Sequence, residues 1–309
     1  MWGNDFSTAE SGNRIRDTTI FNYENYSFIF KQHDINLKQS KYINQNIVTT
    51  TITVENVLQN EIDSILEIID DICWLLSLAQ QSRVTRHEYQ YNSNRHFTDC
   101  STVVINPLAP IIEMHGSEIL NFINQTYENF KRLKSIRILP SIIGYLCEAN
   151  KHPLALESKL ILHYIIIENL KHTFAKEQGY KEKDGKFSHP NYPNLNYLCP
   201  NKIEYCFDEN TGQWVHKKYS KCRSSEMTRR MFEHIGINRN TINDILKKRN
   251  RMIHEGLLLP FGDENYSAQA KKDLNNVNNL LRKYLLSILG YKGEYILNDD
   301  RIGASGVIK

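Results

Sequence analysis

The feature that most limits how this chain folds is the stretch covering residues 153–175. Leu160, Ile161, Leu162, Tyr164, Ile165, Ile166, Ile167 and Leu170 make it apolar almost all round at helical spacing, and Pro153 suits a first turn. A helix without a polar face needs other helices around it, so this segment reads as the central member of a bundle. One carboxylate interrupts it. At 100° per residue Glu168 falls beside Ile161, Tyr164 and Ile165, a buried position that demands a cationic or hydrogen-bonding partner.

The remaining sequence supplies the neighbours. Helical periodicity recurs over 119–133, 142–149, 227–235, 241–255 and 267–289, with Gly290 placed to end the last of these. Before residue 117 the pattern is mixed. A β-branched strand at 47–54 precedes a core helix over 58–79; 83–91 alternates like a strand, 92–94 is turn-prone, and 101–105 reads as a further short strand. Between the helices, 176–228 is polar and rich in Pro and Tyr. Segments 202–208 and 213–219 flank an Asp-Glu-Asn-Thr-Gly turn, which is a hairpin insertion and not a domain. The expected fold class is α+β: an N-terminal mixed α/β region, 1–116, followed by an antiparallel helical bundle, 117–309, with a β-hairpin insertion at 176–228. At roughly 150 residues per domain, a length of 309 residues agrees with two parts.

Several functional classes are excluded. The first residues are polar and lack a signal-peptide core, and no run approaches the ~18 apolar residues of a membrane span, so a cytoplasmic protein without a membrane partner is expected. The six cysteines are scattered, as reduced thiols are. Cys199, Cys206 and Cys222, with His216, lack the short Cys-x2-4-Cys knuckle of structural zinc sites, so no metal is assigned. His163 and His172 read as core or helix-end residues. No Gly-rich phosphate loop appears, which argues against an NTPase, and no cofactor is implied.

The chemistry concentrates near residue 250. Thr241 is placed to cap its helix, with Asp244 three positions on, and Gly256 follows the last turn. Ile242, Ile245, Leu246, Met252 and Ile253 form the buried stripe of this helix, and Arg249 lies in the middle of it. A guanidinium stays charged, so burial there requires an anion: a carboxylate such as Glu168, or the phosphate of a ligand. Asn250 and His254 are one turn apart on the same face.

The segment Arg249-Asn250-Arg251-Met252-Ile253-His254 resembles the signature of the HEPN superfamily of RNA-cleaving helical bundles: Arg, a polar residue, three further residues, then His. The stretches 142–149 and 156–170, and the ending 285–295, are similar to the ApeA-like branch, so the resemblance covers about residues 117–295. It implies a HEPN-like bundle and metal-independent endoribonuclease chemistry by 2′-OH attack. Under that reading His254 serves as acid or base, since an unperturbed imidazole, with a pKa near ~6.5, can do either at neutral pH. Arg249 holds the scissile phosphate and stabilises the transition state, Asn250 orients the imidazole or phosphate, and Glu168 supports Arg249. The resemblance further implies a homodimer with a composite active site, and a role as a phage-defence or toxin effector held in check by a trigger or antitoxin.

Local charge agrees with an RNA partner. The chain as a whole carries only +3, but residues 217–251 hold eleven Lys and Arg against three acids, a net of +8, which leaves −5 for everything else. Lys247, Lys248, Arg251, Arg229 and Arg230 are the expected RNA contacts. Two other readings stay open: a non-catalytic RNA-binding or dimerisation module with a structural Arg249, and a toxin controlled by a separate antitoxin.

Overall fold

A computed structural model of the chain describes residues 5–8, 14–33, 49–98, 110–151, 154–183, 185–188, 205–208, 213–216, 221–255, 266–298 and 304–308. Among them the backbone forms an α+β fold of helices and small antiparallel sheets, as the patterning implies. It divides into two units, residues 1–163 with 262–309, and residues 164–261. The division between these units runs through a helix.

In the first unit, β1 (Asp5–Thr8), β2 (Arg14–Tyr23), β3 (Tyr26–Gln32) and β4 (Thr50–Val54) form an antiparallel meander in that order. The β-branched run expected at 47–54 supplies β4, whose Ile52 pairs with Phe30. The helix α1 (Ile62–Gln80) buries Ile65, Ile69, Ile72 and Leu76, one face at helical spacing. It stops at Gln81, which adopts a left-handed φ of 51° and donates its N–H to the Leu78 carbonyl. Next, β5 (Glu88–Tyr91) and β6 (Asn94–Phe97) make a hairpin over Asn92 and Ser93, both at positive φ, as a two-residue turn of matching twist requires.

The strand expected over 83–91 is therefore only its last four residues. Arg83 lays its guanidinium 3.5 Å from the Trp74 ring centroid, and Arg86 reaches Asp70 at 2.9 Å. Arg83 and Arg86 thus turn their side chains to α1, while the hairpin ladder reaches one residue further, His87 accepting from the Thr98 N–H at 2.7 Å. The strand expected over 101–105 lies outside the described residues. Two helices follow, α2 (Gly116–Leu133) and α3 (Leu139–Ala149). Tyr127 of α2 packs edge-on against Phe21 and Tyr23 of β2, which ties the sheet to the helices.

The central helix, α4 (Leu156–Glu177), begins three residues later than Pro153 and passes from one unit to the other. It is not apolar-enclosed on all sides. Ile161 and Ile165 are exposed at 44% and 39%, and Glu168 on the same side is half-buried, with 27% of its side chain accessible. Glu168, expected in a buried position, is thus only half-buried, because the edge of α4 that carries it is left partly open.

In the second unit, β7 (Lys181–Lys183) and β8 (Lys186–Ser188) form a hairpin, and β9 (Tyr205–Asp208) pairs with β10 (Gln213–His216), giving the hairpin expected in the insertion. β11 (Lys221–Arg223) returns to β8 and runs without a break into α5 (Ser224–Glu233). Phe187 of β8 is buried beside the His172 ring. The helix α6 (Arg239–Glu255) starts two residues before Thr241, because the Asn238 carboxamide accepts the Asn240 N–H at 2.8 Å and takes the capping role expected of Thr241. Asp244 pairs instead with Lys248 at 2.8 Å.

The chain then re-enters the first unit as α7 (Tyr266–Ile288), ended by Gly290 at φ 78°, and closes with β12 (Gly293–Ile296) against β13 (Ser305–Ile308). Arg282 of α7 is buried among neutral oxygens: it donates to Asn278 Oδ1, the Ile296 carbonyl and Gln81 Oε1, each at 2.9 Å. His163 lies in the core with Nδ1 2.7 Å from the Lys159 carbonyl. Among the described residues no helix is long and apolar enough to cross a membrane.

Candidate functional site

The site is built where α5 and α6 of the second unit meet the later half of α4. Ile242, Ile245, Leu246 and Met252 bury one face of α6, and Arg249 rides at the edge of that face, half-buried. The sequence required an anion for this guanidinium, and Glu168 is there: its Oε1 lies 3.0 Å from Arg249 Nη2. A second donor, Nη1, reaches Asn250 Oδ1 at 3.0 Å. Arg249 Nε is buried with no hydrogen-bond partner among the described residues, so the demand of the guanidinium for acceptors is only partly met.

Glu168 is shared. Its other oxygen, Oε2, accepts from the ammonium of Lys171, one turn further along α4, whose side chain is 2% exposed. Lys171 also donates to Ser224 Oγ at 2.6 Å and sits 5.7 Å from the centroid of the Phe187 ring. Two cations thus converge on one carboxylate, and the local balance stays positive.

Ser224 opens α5, and this helix has Arg223 at its N-cap position with no side-chain cap hydrogen bond. Its first N–H groups have no acceptor within the helix and none from the N-cap side chain, and they lie at the end where the helix dipole favours negative charge. A cavity of about 230 Å³ lies at this point. Arg223, Ser224, Ser225 and Thr228 line it from the α5 side, Leu246, Arg249 and Asn250 from α6, and Glu168 from α4. Guanidinium groups, hydroxyls and an uncapped helix N-terminus around one cavity are a set of donors suited to a phosphate oxyanion.

The expected site residues are distributed unevenly. Arg249, Asn250 and Glu168 line the cavity together. His254 stands in the last turn of α6, on the same i, i+4, i+8 row of the helix as Leu246 and Asn250; its side chain lies outside the described residues. Of the expected RNA contacts, Arg229 and Lys247 line an adjoining cavity, while Lys248 is engaged by Asp244 and Arg230 donates to the Tyr180 hydroxyl at 3.2 Å. Arg251 is exposed and lines neither cavity. All three acids of the basic block are spent on its own cations: Glu226 on Arg229 and Arg239, Glu233 on Arg239, and Asp244 on Lys248.

Sequence reasoning passed over Lys171, Ser224, Ser225 and Thr228. Lys171 had one signal, its i, i+3 spacing from Glu168; the Ser224-Ser225 pair just before a helix was the other. Cys206 and Cys222 fall on β9 and β11 with side chains outside the described residues, and Cys199 lies outside them altogether; among the described residues no cluster suited to a metal ion occurs. Comparisons with protein-family models, curated proteins and solved structures return no match for this chain.

Proposed function

We propose that the chain is a HEPN-like, metal-independent endoribonuclease whose working residues are Arg249, Asn250 and His254. The observation that carries this reading is the cavity at the uncapped start of α5, in which Arg249 keeps unmet hydrogen-bonding capacity beside Asn250, one helical turn before His254. In this scheme the ribose 2′-oxygen attacks the adjacent phosphorus as a base accepts its proton. The bond from phosphorus to the 5′-oxygen breaks, that oxygen takes a proton, and the products are a 2′,3′-cyclic phosphate and a 5′-hydroxyl. Arg249 and the α5 amides hold the non-bridging oxygens, where charge builds in the transition state. Asn250, with its oxygen occupied by Arg249, offers its NH2 to the phosphate. Two proton transfers with one signature histidine per chain favour a homodimer in which two His254 residues meet. Control by a trigger or an antitoxin is part of the same proposal.

A second reading has its own support. The 3.0 Å pair of Arg249 with Glu168 also suits a structural arginine in a non-catalytic RNA-binding module. The two separate on RNA incubated with the purified chain in EDTA: the nuclease cuts, and Arg249→Ala and His254→Ala each abolish cutting. The binding module holds RNA in a salt-sensitive way without cutting it.

A further inference from the structure

The cavity at Arg249 does not stand alone. A second cavity, of about 320 Å³, adjoins it and shares Ser225, Leu246 and Asn250 as a common wall. Its remaining lining is Arg229 from α5 and Asn243 and Lys247 from α6. Arg229 is held in place, Nε donating to Asn243 Oδ1 at 2.7 Å and Nη1 to Glu226 Oε2 at 3.1 Å. Glu226 is itself pinned by Arg239 at 2.5 Å. Held at Nε and Nη1, the Arg229 guanidinium has Nη2 to offer a guest. Lys247 is exposed and adds a second positive charge from the opposite helix. The order across the groove is therefore cationic cavity, wall, cationic cavity, and the wall combines one apolar side chain, Leu246, with the hydroxyl of Ser225 and the amide of Asn250. A nucleic-acid strand has the same alternation: phosphate, sugar with its base, phosphate.

We infer that the Arg229–Lys247 cavity is a second phosphate subsite, which holds the phosphate next to the one bound at Arg249, with the intervening nucleoside against Leu246. The ligand this groove selects is a single strand with at least two consecutive phosphates, in preference to a mononucleotide or a dinucleoside monophosphate. The inference rests on the reading that the Arg249 cavity takes the scissile phosphate, and adds to it a minimum length and a register.

The experiment measures binding of a dinucleoside monophosphate and of a trinucleoside diphosphate to the full chain carrying His254→Ala, by competition against a labelled oligoribonucleotide at several salt concentrations. The second phosphate is expected to tighten binding by about tenfold and to steepen the salt dependence by about 0.7 in log–log slope, the single-strand value for one more neutralised phosphate. Arg229→Gln with Lys247→Gln removes most of that gain, and the charge-retaining pair Arg229→Lys with Lys247→Arg keeps it. The inference is overturned if the gain is the same in the neutralised variant, or if the second phosphate adds nothing. A chain that shows the gain yet never cuts RNA retains the two-phosphate groove and loses the nuclease reading; one that cuts RNA without the gain does the reverse.

Discussion

Arg249 meets Glu168 at 3.0 Å, and that carboxylate is already engaged by the buried ammonium of Lys171. Glu168 therefore neutralises two cations, one of them almost wholly removed from water. Removing a partner from a buried ion pair is costly because the remaining charge has nowhere to go. With allowance for the partial exposure of Glu168, Glu168→Gln is expected to lower unfolding stability by about 2 kcal/mol, and adding Lys171→Met to recover a large part of the loss. Urea denaturation of the two variants checks this; equal midpoints for wild type and Glu168→Gln would show that the network is not structural.

His163 provides a pH test. Burial pushes its imidazole down to about 4, against about 6.5 for the unfolded chain. Between these values the unfolded chain binds a proton that the folded one does not. The contribution is therefore fully present above about pH 6.5 and is lost as pH falls towards 4, at a cost approaching 3 kcal/mol. The difference in unfolding free energy between pH 7.5 and pH 4.5 should shrink markedly in His163→Gln. The same difference in both proteins contradicts the assignment.

Gly290 ends α7 at φ 78°, and a Cβ built there would sit 2.6 Å from Asn129 Nδ2. That amide donates to the Leu289 carbonyl at 3.1 Å, so an added methyl group meets both a left-handed backbone and a side chain held by its own hydrogen bond. Gly290→Ala is expected to cost about 2 kcal/mol. A thermal midpoint unchanged from wild type would mean that the turn relaxes freely.

The composite-site proposal concerns the assembled state. Light scattering at micromolar concentration should give twice the 36.2 kDa of one chain. A monomer with full ribonuclease activity removes the requirement for two histidines from two chains.

The sequence disclosed the demand at the centre of the site more clearly than its surroundings. An arginine on a buried stripe needs an anion whatever the fold, and Glu168 was an unusual carboxylate on an apolar helix, so the pair could be matched across eighty intervening residues without coordinates. Lys171 gave only its i, i+3 spacing from Glu168: such a lysine is ordinarily solvated, and the return of β11 to β8 sets Ser224 against its ammonium. The uncapped start of α5 depends on the same non-local pairing. Local competition explains the smaller differences. Asn238 outcompetes Thr241 as a cap because it sits where the helix starts, and Arg83 and Arg86 bind α1 instead of extending a strand. The basic block showed its excess charge but not its internal pairing, since which cations Glu226, Glu233 and Asp244 engage depends on helix faces.

The most direct measurement is the chemistry of the cut ends. RNA treated with the wild-type chain in EDTA, and in parallel with His254→Ala and Arg249→Ala, is analysed for its termini. The proposed mechanism requires 2′,3′-cyclic phosphate and 5′-hydroxyl ends from the wild type and their loss in both variants. Ends bearing 3′-hydroxyl and 5′-phosphate, or cutting that persists without His254, would contradict it.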